Sequence, residues 1–217
     1  MIFKNLIKRL KRLIISSSNY WKIRHFLEPT WIDSYNLKKT HQFYIEFVQK
    51  YSIKTIFDFG CATGKTLIDI KINFPEVVTY GVDINQKAID QCILRFLEID
   101  PTGKSFSFRN KLNKNYVLNF LLANNKEKID LVIFDRVLYC LDNSQVIEIL
   151  RKLAPLTGFI IIDDFDRDDS IDFIGYRHRD WTSLLSKFSF ECLDNIPSIY
   201  SEVDKANART MIFKSIN

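Results

Sequence analysis

The chain has 217 residues, 47% of them hydrophobic and 26% charged, a globular composition for one domain that excludes fibrous and disordered classes. The formal net charge is +5, but residues 1–25 carry seven bases and no acid, which leaves 24 bases against 26 acids in the remainder. The body is therefore near neutral, and composition implies no basic groove and no nucleic-acid partner.

The first stretch, "MIFKNLIKRLKRLIISSS", places Ile2, Phe3, Leu6, Ile7, Leu10, Leu13 and Ile14 on one side of a helix and cations on the other. Such a helix can lie on an anionic membrane surface through residues 2–15, or pack on the body or on another subunit. Its cations are spread among the apolar residues and no small-residue cleavage site follows, so it does not read as a secretory signal. Residues 1–33 are read as this helix and a linker containing Pro29, and 34–217 as the folded domain.

A helical pattern covers roughly 34–51, and from there strands and helices alternate. "KTIFDF" (54–59), "VVTYGVD" (77–83), "KSFSFR" (104–109), "IDLVIFD" (129–135) and "GFIIIDD" (158–164) read as strands. Helices are expected over about 65–73, 86–97, 115–125 and 144–154 between them. This alternation predicts an α/β fold with a doubly wound, mostly parallel sheet covered on both faces. A short helix around "DWTSLLSKF" and the strands "SFECLDN" and "ARTMIFKSI" then suggest an antiparallel hairpin at one sheet edge.

Cys61, Cys92, Cys140 and Cys192 form no C-x-x-C pair, so neither a zinc site nor a disulfide framework is expected; reduced thiols and a cytoplasmic location are. No run of about 18 uncharged apolar residues occurs, so no transmembrane helix is expected.

Two of only six glycines fall in "FDFGCATGKT", at the loop after the first strand, where open parallel sheets bind their ligands. A phosphate-binding P-loop needs four residues between its glycines; here Cys61, Ala62 and Thr63 make three, and Asp58 at the loop mouth would repel a triphosphate. Lys65-Thr66 and the aspartates ending "LVIFD" and "FIIIDD" speak for that reading. A dinucleotide loop G-x-G-x-x-G is absent because position 62 is alanine. S-adenosylmethionine suits the loop better. It has no phosphate, its amino group can meet Asp58, and Asp83, ending "YGVD", can accept both ribose hydroxyls.

"IFDFGCATGKTL" followed by "TYGVDINQKAI" resembles the class I S-adenosylmethionine-dependent methyltransferases, with "IDLVIFDRVLYCL" and "EILRKLAPLTGFIIIDDF" similar to that family's fourth and fifth strands and their surroundings. The resemblance covers about residues 54–162 and implies a Rossmann-like sheet of seven strands. It implies that Asp58, Gly60, Cys61, Ala62 and Gly64 line the methionine end of the cofactor, that Asp83 meets the ribose, and that Ile84 is also a cofactor-binding residue. Asp135 and Arg136 then lie near the transferable methyl. Two departures are Ala62 in place of the middle glycine and Asn110 where an acid often meets the adenine amino group.

On the acceptor side, "DRVLY" lacks the Pro-Pro-aromatic turn of enzymes that methylate nucleic-acid amines. The expected acceptor is a small molecule or a saccharide-like hydroxyl, and the basic helix suggests one associated with the inner face of a membrane. His178, between Arg177 and Arg179, is a candidate general base, Asp163 is a further catalytic candidate, and the two arginines could hold an anionic group. Asp135, Asp163 and Asp164 could together form a magnesium site. The alternatives are a P-loop-like nucleotide hydrolase and a non-catalytic binding module on the same fold.

Overall fold

The computed structural model describes residues 38–166, 177–200 and 208–216. The expected N-terminal helix, the linker and the boundary at residue 33 lie outside them, as does most of the acidic loop after the fifth strand.

Helix α1 (Lys38–Tyr51) leads into the sheet, and the elements then follow in the predicted order. They are β1 (Thr55–Phe59), α2 (Lys65–Asn73), β2 (Val78–Val82), α3 (Gln86–Ile99), β3 (Phe106–Arg109), α4 (Lys114–Ala123) and β4 (Ile129–Asp135). After these come α5 (Asn143–Leu153), β5 (Thr157–Phe165), α6 (Trp181–Ser186), β6 (Phe190–Pro197) and β7 (Ala208–Ser215). One seven-stranded sheet results, with order β3-β2-β1-β4-β5-β7-β6. The first five strands are parallel; β7 runs antiparallel between β5 and β6. The expected hairpin therefore exists, with its second strand inside and its first at the edge.

Strand alternation sorts the core into two layers. Ile56, Leu131, Ile133 and Ile161 pack against Tyr44 and Phe47 of α1, Leu67 and Ile70 of α2, and Ile89 and Phe96 of α3. Phe57, Val132, Phe134, Ile160 and Ile162 pack against Val117 of α4, Val146 and Leu150 of α5, and Trp181 of α6. Both faces are covered, so the strands read as near-continuous apolar runs.

Polar side chains set several element ends. Asp142 accepts from the Gln145 backbone N–H while the Gln145 side chain accepts from the Asp142 N–H, which fixes the start of α5. Asp100 accepts from both the backbone and hydroxyl groups of Thr102 and Ser105. That closed turn holds residues through Ser105, so β3 begins two residues later than its alternating pattern suggests. Lys71 is buried because its ammonium donates to the carbonyls of Pro75 and Val77, tying the end of α2 to the start of β2.

Strand order reverses between β1 and β4. In open sheets of this kind the ligand crevice opens at the carboxyl ends of the two strands flanking that reversal. Here those ends are Asp58-Phe59 and Asp135.

Candidate active site

The loop after β1 is a tight left-handed turn held from several sides. Gly60, Ala62 and Gly64 have φ of 88°, 47° and 74°. A Cβ on Gly60 would stand 2.8 Å from Val137 Cγ2, and one on Gly64 would stand 2.3 Å from Cys92 Sγ. Both glycines thus serve a left-handed backbone and a close approach at once. Gly60 N–H and Cys61 N–H donate to the Val82 carbonyl, Gly64 N–H to the Cys61 carbonyl, and Ala62 N–H to Asp83 Oδ2 at 3.0 Å. Four of the loop's backbone donors therefore already have acceptors. A phosphate cradle needs such donors free and aimed at the ligand, so the local geometry opposes a P-loop. Lys65 and Thr66 simply begin α2.

Ala62 is a non-glycine residue in the left-handed region, where an L side chain costs roughly 1–2 kcal/mol. Glycine would remove that cost while adding unfolded-state entropy. Ala62→Gly is expected to stabilise the fold by about 0.5–1 kcal/mol, a rise of about 2–3 °C in Tm. A thermal scan reading a lower Tm would show that the alanine methyl makes contacts worth more than the strain.

The Cys61 and Thr63 side chains of the loop are buried. Cys61 buries its thiol against Gly81, where an added Cβ would stand 2.8 Å from its sulfur, and burial pushes that thiol up. Thr63 is buried and accepts from Arg95 Nη1 of α3 at 3.0 Å. Asp83 follows β2 and grips both neighbours: Oδ2 takes the Ala62 N–H and Oδ1 takes the Asn85 N–H at 2.8 Å. Ile84 beside it is half exposed, and Asn110 stands exposed after β3.

Across the crevice the sheet presents a row of carboxylates on the α1 face. Asp58, Asp135 and Asp163 continue the inward-facing series Ile56, Ile133 and Ile161 of β1, β4 and β5. Asp58 is held well above the usual carboxylate range, first by burial and then by the charges of Asp135 and Asp83. Asp135 is pushed up to about 7 by burial and by Asp163, against hydrogen bonds from Tyr200 and Tyr44 and the Arg136 charge. Its Oδ2 accepts from Tyr200 Oη at 2.5 Å and Tyr44 Oη at 3.2 Å, while Oδ1 is closed off from solvent with no partner among the described residues. Asp163 has the most partners. Arg136 Nε, the hydroxyls of Ser198 and Thr210, and the Ile199 N–H all donate to it.

A family model described as a methyltransferase domain matches residues 51–210. The chain belongs to the methyltransferase domain family. The class I, S-adenosylmethionine-dependent reading of the sequence therefore stands, and the nucleotide-hydrolase alternative falls. No curated protein matches the chain in sequence. Among solved structures, magnesium protoporphyrin IX methyltransferase of Synechocystis PCC 6803 with bound S-adenosylmethionine is similar at TM-score 0.63 and 15% identity, over 96% of each chain. An O-methyltransferase from Nostoc punctiforme PCC 73102, described as putative, gives TM-score 0.62 at 13% identity, covering 82% of this chain and 56% of that one. WbdD gives 0.58 at 17%, covering 83% of this chain and 40% of that one. At these identities the likeness is one of fold.

In this methyltransferase the three acids expected to hold magnesium do not converge. Asp164 faces the opposite side of β5 from Asp163, accepting from the Tyr139 and Phe165 N–H groups, and burial pushes it up to about 7. Asp163 is encircled by donors from Arg136, Ser198, Ile199 and Thr210. No group of three His, Cys, Asp or Glu side chains gathers to hold a metal among the described residues.

Arg179 does not await an anionic acceptor: it is buried and donates to the Leu138 and Leu141 carbonyls and to Asn143 Oδ1, bracing the turn after β4. Arg177 donates to the Cys140 carbonyl of the same turn. His178 lies at the ligand end of β5, its ring against Phe165. Its Nδ1 is 3.2 Å from the Asp166 carbonyl, and its buried Nε2 has no partner among the described residues.

Tyr44 and Tyr200 were not foreseen. They lie 91 and 65 residues from Asp135, and each reads as an ordinary aromatic in its own segment.

Proposed function

We propose that this methyltransferase moves the methyl group of S-adenosylmethionine to a hydroxyl of a small-molecule or saccharide acceptor. The observation that carries the reading is the crevice between β1 and β4, flanked by Asp58 and Asp135, neither of which forms an ion pair among the described residues. Such a site suits a cofactor bearing an ammonium and a sulfonium and disfavours phosphate or an anionic acceptor.

In this reading Asp58 meets the amino group, and the left-handed turn of Gly60, Ala62 and Gly64 lets the cofactor pass close over the backbone. Asp83 accepts from the ribose hydroxyls. Ile84 covers the adenine and Asn110 accepts from its amino group. Asp135 and Arg136 border the methyl. The cofactor supplies the electrophilic methyl, and the chain holds the acceptor oxygen in line with it. His178 takes the acceptor proton. If Nδ1–H donates to the Asp166 carbonyl, Nε2 carries the lone pair.

The test incubates the protein with labelled S-adenosylmethionine and a whole-cell extract, then separates nucleic acid from small molecules and saccharides. Label is expected in a neutral small molecule or saccharide, with a rate roughly 10²–10⁴ lower for His178→Asn while S-adenosylhomocysteine binding is unchanged. Label found only in nucleic acid would overturn the acceptor class, and an undiminished rate in the variant would remove His178 from the chemistry.

A further inference from the structure

The inference concerns Asp135 and rests on the cofactor reading above. Among the described residues, five groups face it. Tyr44 reaches it from α1 and Tyr200 from the segment after β6. Asp58 stands beside it on β1 and Asp163 on β5, both acting electrostatically. Arg136 is next in the chain, but its guanidinium is directed elsewhere: Nε to Asp163, Nη2 to Ser198, and its face over the rings of Phe165 and Tyr200.

Asp135 is therefore a carboxylate at the reversal point of the sheet with one oxygen clamped by two phenols and the other without a partner among the described residues. A buried polar atom of this kind calls for an explanation. Two tyrosine donors and the Arg136 charge favour its ionised form, and it forms no ion pair among the described residues. The arrangement is prepared for a positive charge that arrives with a ligand.

We propose that Asp135, clamped by Tyr44 and Tyr200, is the counter-ion of the cofactor's sulfonium, so that the site distinguishes the charged methyl donor from its uncharged product. Methyl transfer forms a carbon–oxygen bond on the acceptor and leaves the carbon–sulfur pair on sulfur, which becomes a neutral thioether. The attraction to Asp135 disappears at that step, and product release is favoured.

The consequence is a pH dependence with a definite sign. A nearby cation lowers the proton affinity of a carboxylate, so donor binding expels the proton from Asp135. Affinity for S-adenosylmethionine then rises with pH until Asp135 is ionised in the free protein, at about 7. S-adenosylhomocysteine shares the ammonium and the ribose but not the sulfonium. Effects of Asp58 are common to both ligands and cancel in their ratio.

Calorimetric titration of the full chain with each compound between pH 6 and 8 reads that ratio. The preference for S-adenosylmethionine is expected to grow about tenfold across the window, following the ionised fraction of a group titrating near 7. Asp135→Asn should make the ratio independent of pH. Tyr200→Phe, which removes one hydrogen bond and little volume, should move its midpoint to higher pH. A flat ratio in the native protein, or a pH-dependent ratio that survives Asp135→Asn, overturns the proposal while leaving the cofactor reading intact. Failure of both compounds to bind at any pH overturns that reading together with the proposal.

Discussion

Asp163→Ala is expected to lower the unfolding free energy by about 3–5 kcal/mol, a loss of roughly 10 °C in Tm. Asp163 is completely buried, and its two oxygens gather donors from three places in the fold. Arg136 comes from the turn after β4 at 2.5 Å. Ser198 and Ile199 follow β6, and Thr210 lies on β7. The carboxylate is the joint by which the antiparallel pair β6–β7 is locked to the parallel sheet at its ligand end. Alanine leaves a guanidinium without its counter-charge and buried hydroxyls without an acceptor, which costs more than the lost bonds themselves. Asp163→Asn keeps the shape and some of the acceptor positions, so its loss should be about half as large. A thermal scan in which alanine costs under about 1 kcal/mol would mean that water satisfies those groups instead. The change also removes the charge that pushes Asp135 up, so any residual folded protein should show the Asp135 titration at lower pH.

The elements of this fold were legible because the sheet is parallel and covered on both faces, which leaves apolar runs such as "IDLVIF" separated by helical periodicities. Predicted and observed bounds coincide for β4 and α2 and differ by a few residues elsewhere, where side chains rather than pattern end the element, as Asp100 does before β3. The cofactor side was legible for a related reason. Left-handed backbone at a strand end demands small residues, so Gly60, Ala62 and Gly64 leave a trace in sequence. The acceptor side left none. Acids on adjacent strands look equivalent in sequence, yet Asp163 and Asp164 face opposite sides of the sheet, and one is a structural joint. Arg179 looked like a ligand-binding cation because nothing in sequence shows that three carbonyl and amide oxygens of a distant turn surround it. The tyrosines on Asp135 escape for the same reason: their meaning lies in a contact across 65 and 91 residues.

Asp83→Ala is expected to weaken S-adenosylhomocysteine binding by about 100-fold or more, and Asp83→Asn by nearly as much. A carboxylate offers about four acceptor positions. Oδ2 takes the Ala62 N–H and Oδ1 the Asn85 N–H, and in the proposed cofactor pose the ribose hydroxyls donate to the same carboxylate. Alanine removes all four, so the ribose contacts are lost and the strained residue of the glycine turn is released together. At about 1.5–3 kcal/mol for each hydrogen bond to a charged group, loss of the ribose pair alone accounts for a hundredfold. Asparagine is not conservative at this position. One of its terminal atoms is an NH₂ that must face one of the two backbone N–H groups, so either Ala62 or Asn85 meets a donor in place of an acceptor. Calorimetry on the two variants separates the roles. If asparagine binds like the native protein, the ribose contact alone carries the affinity and the grip on the loop is idle. If both variants lose affinity while the melting temperature falls by only a few degrees, Asp83 organises the turn and the cofactor with the same two oxygens.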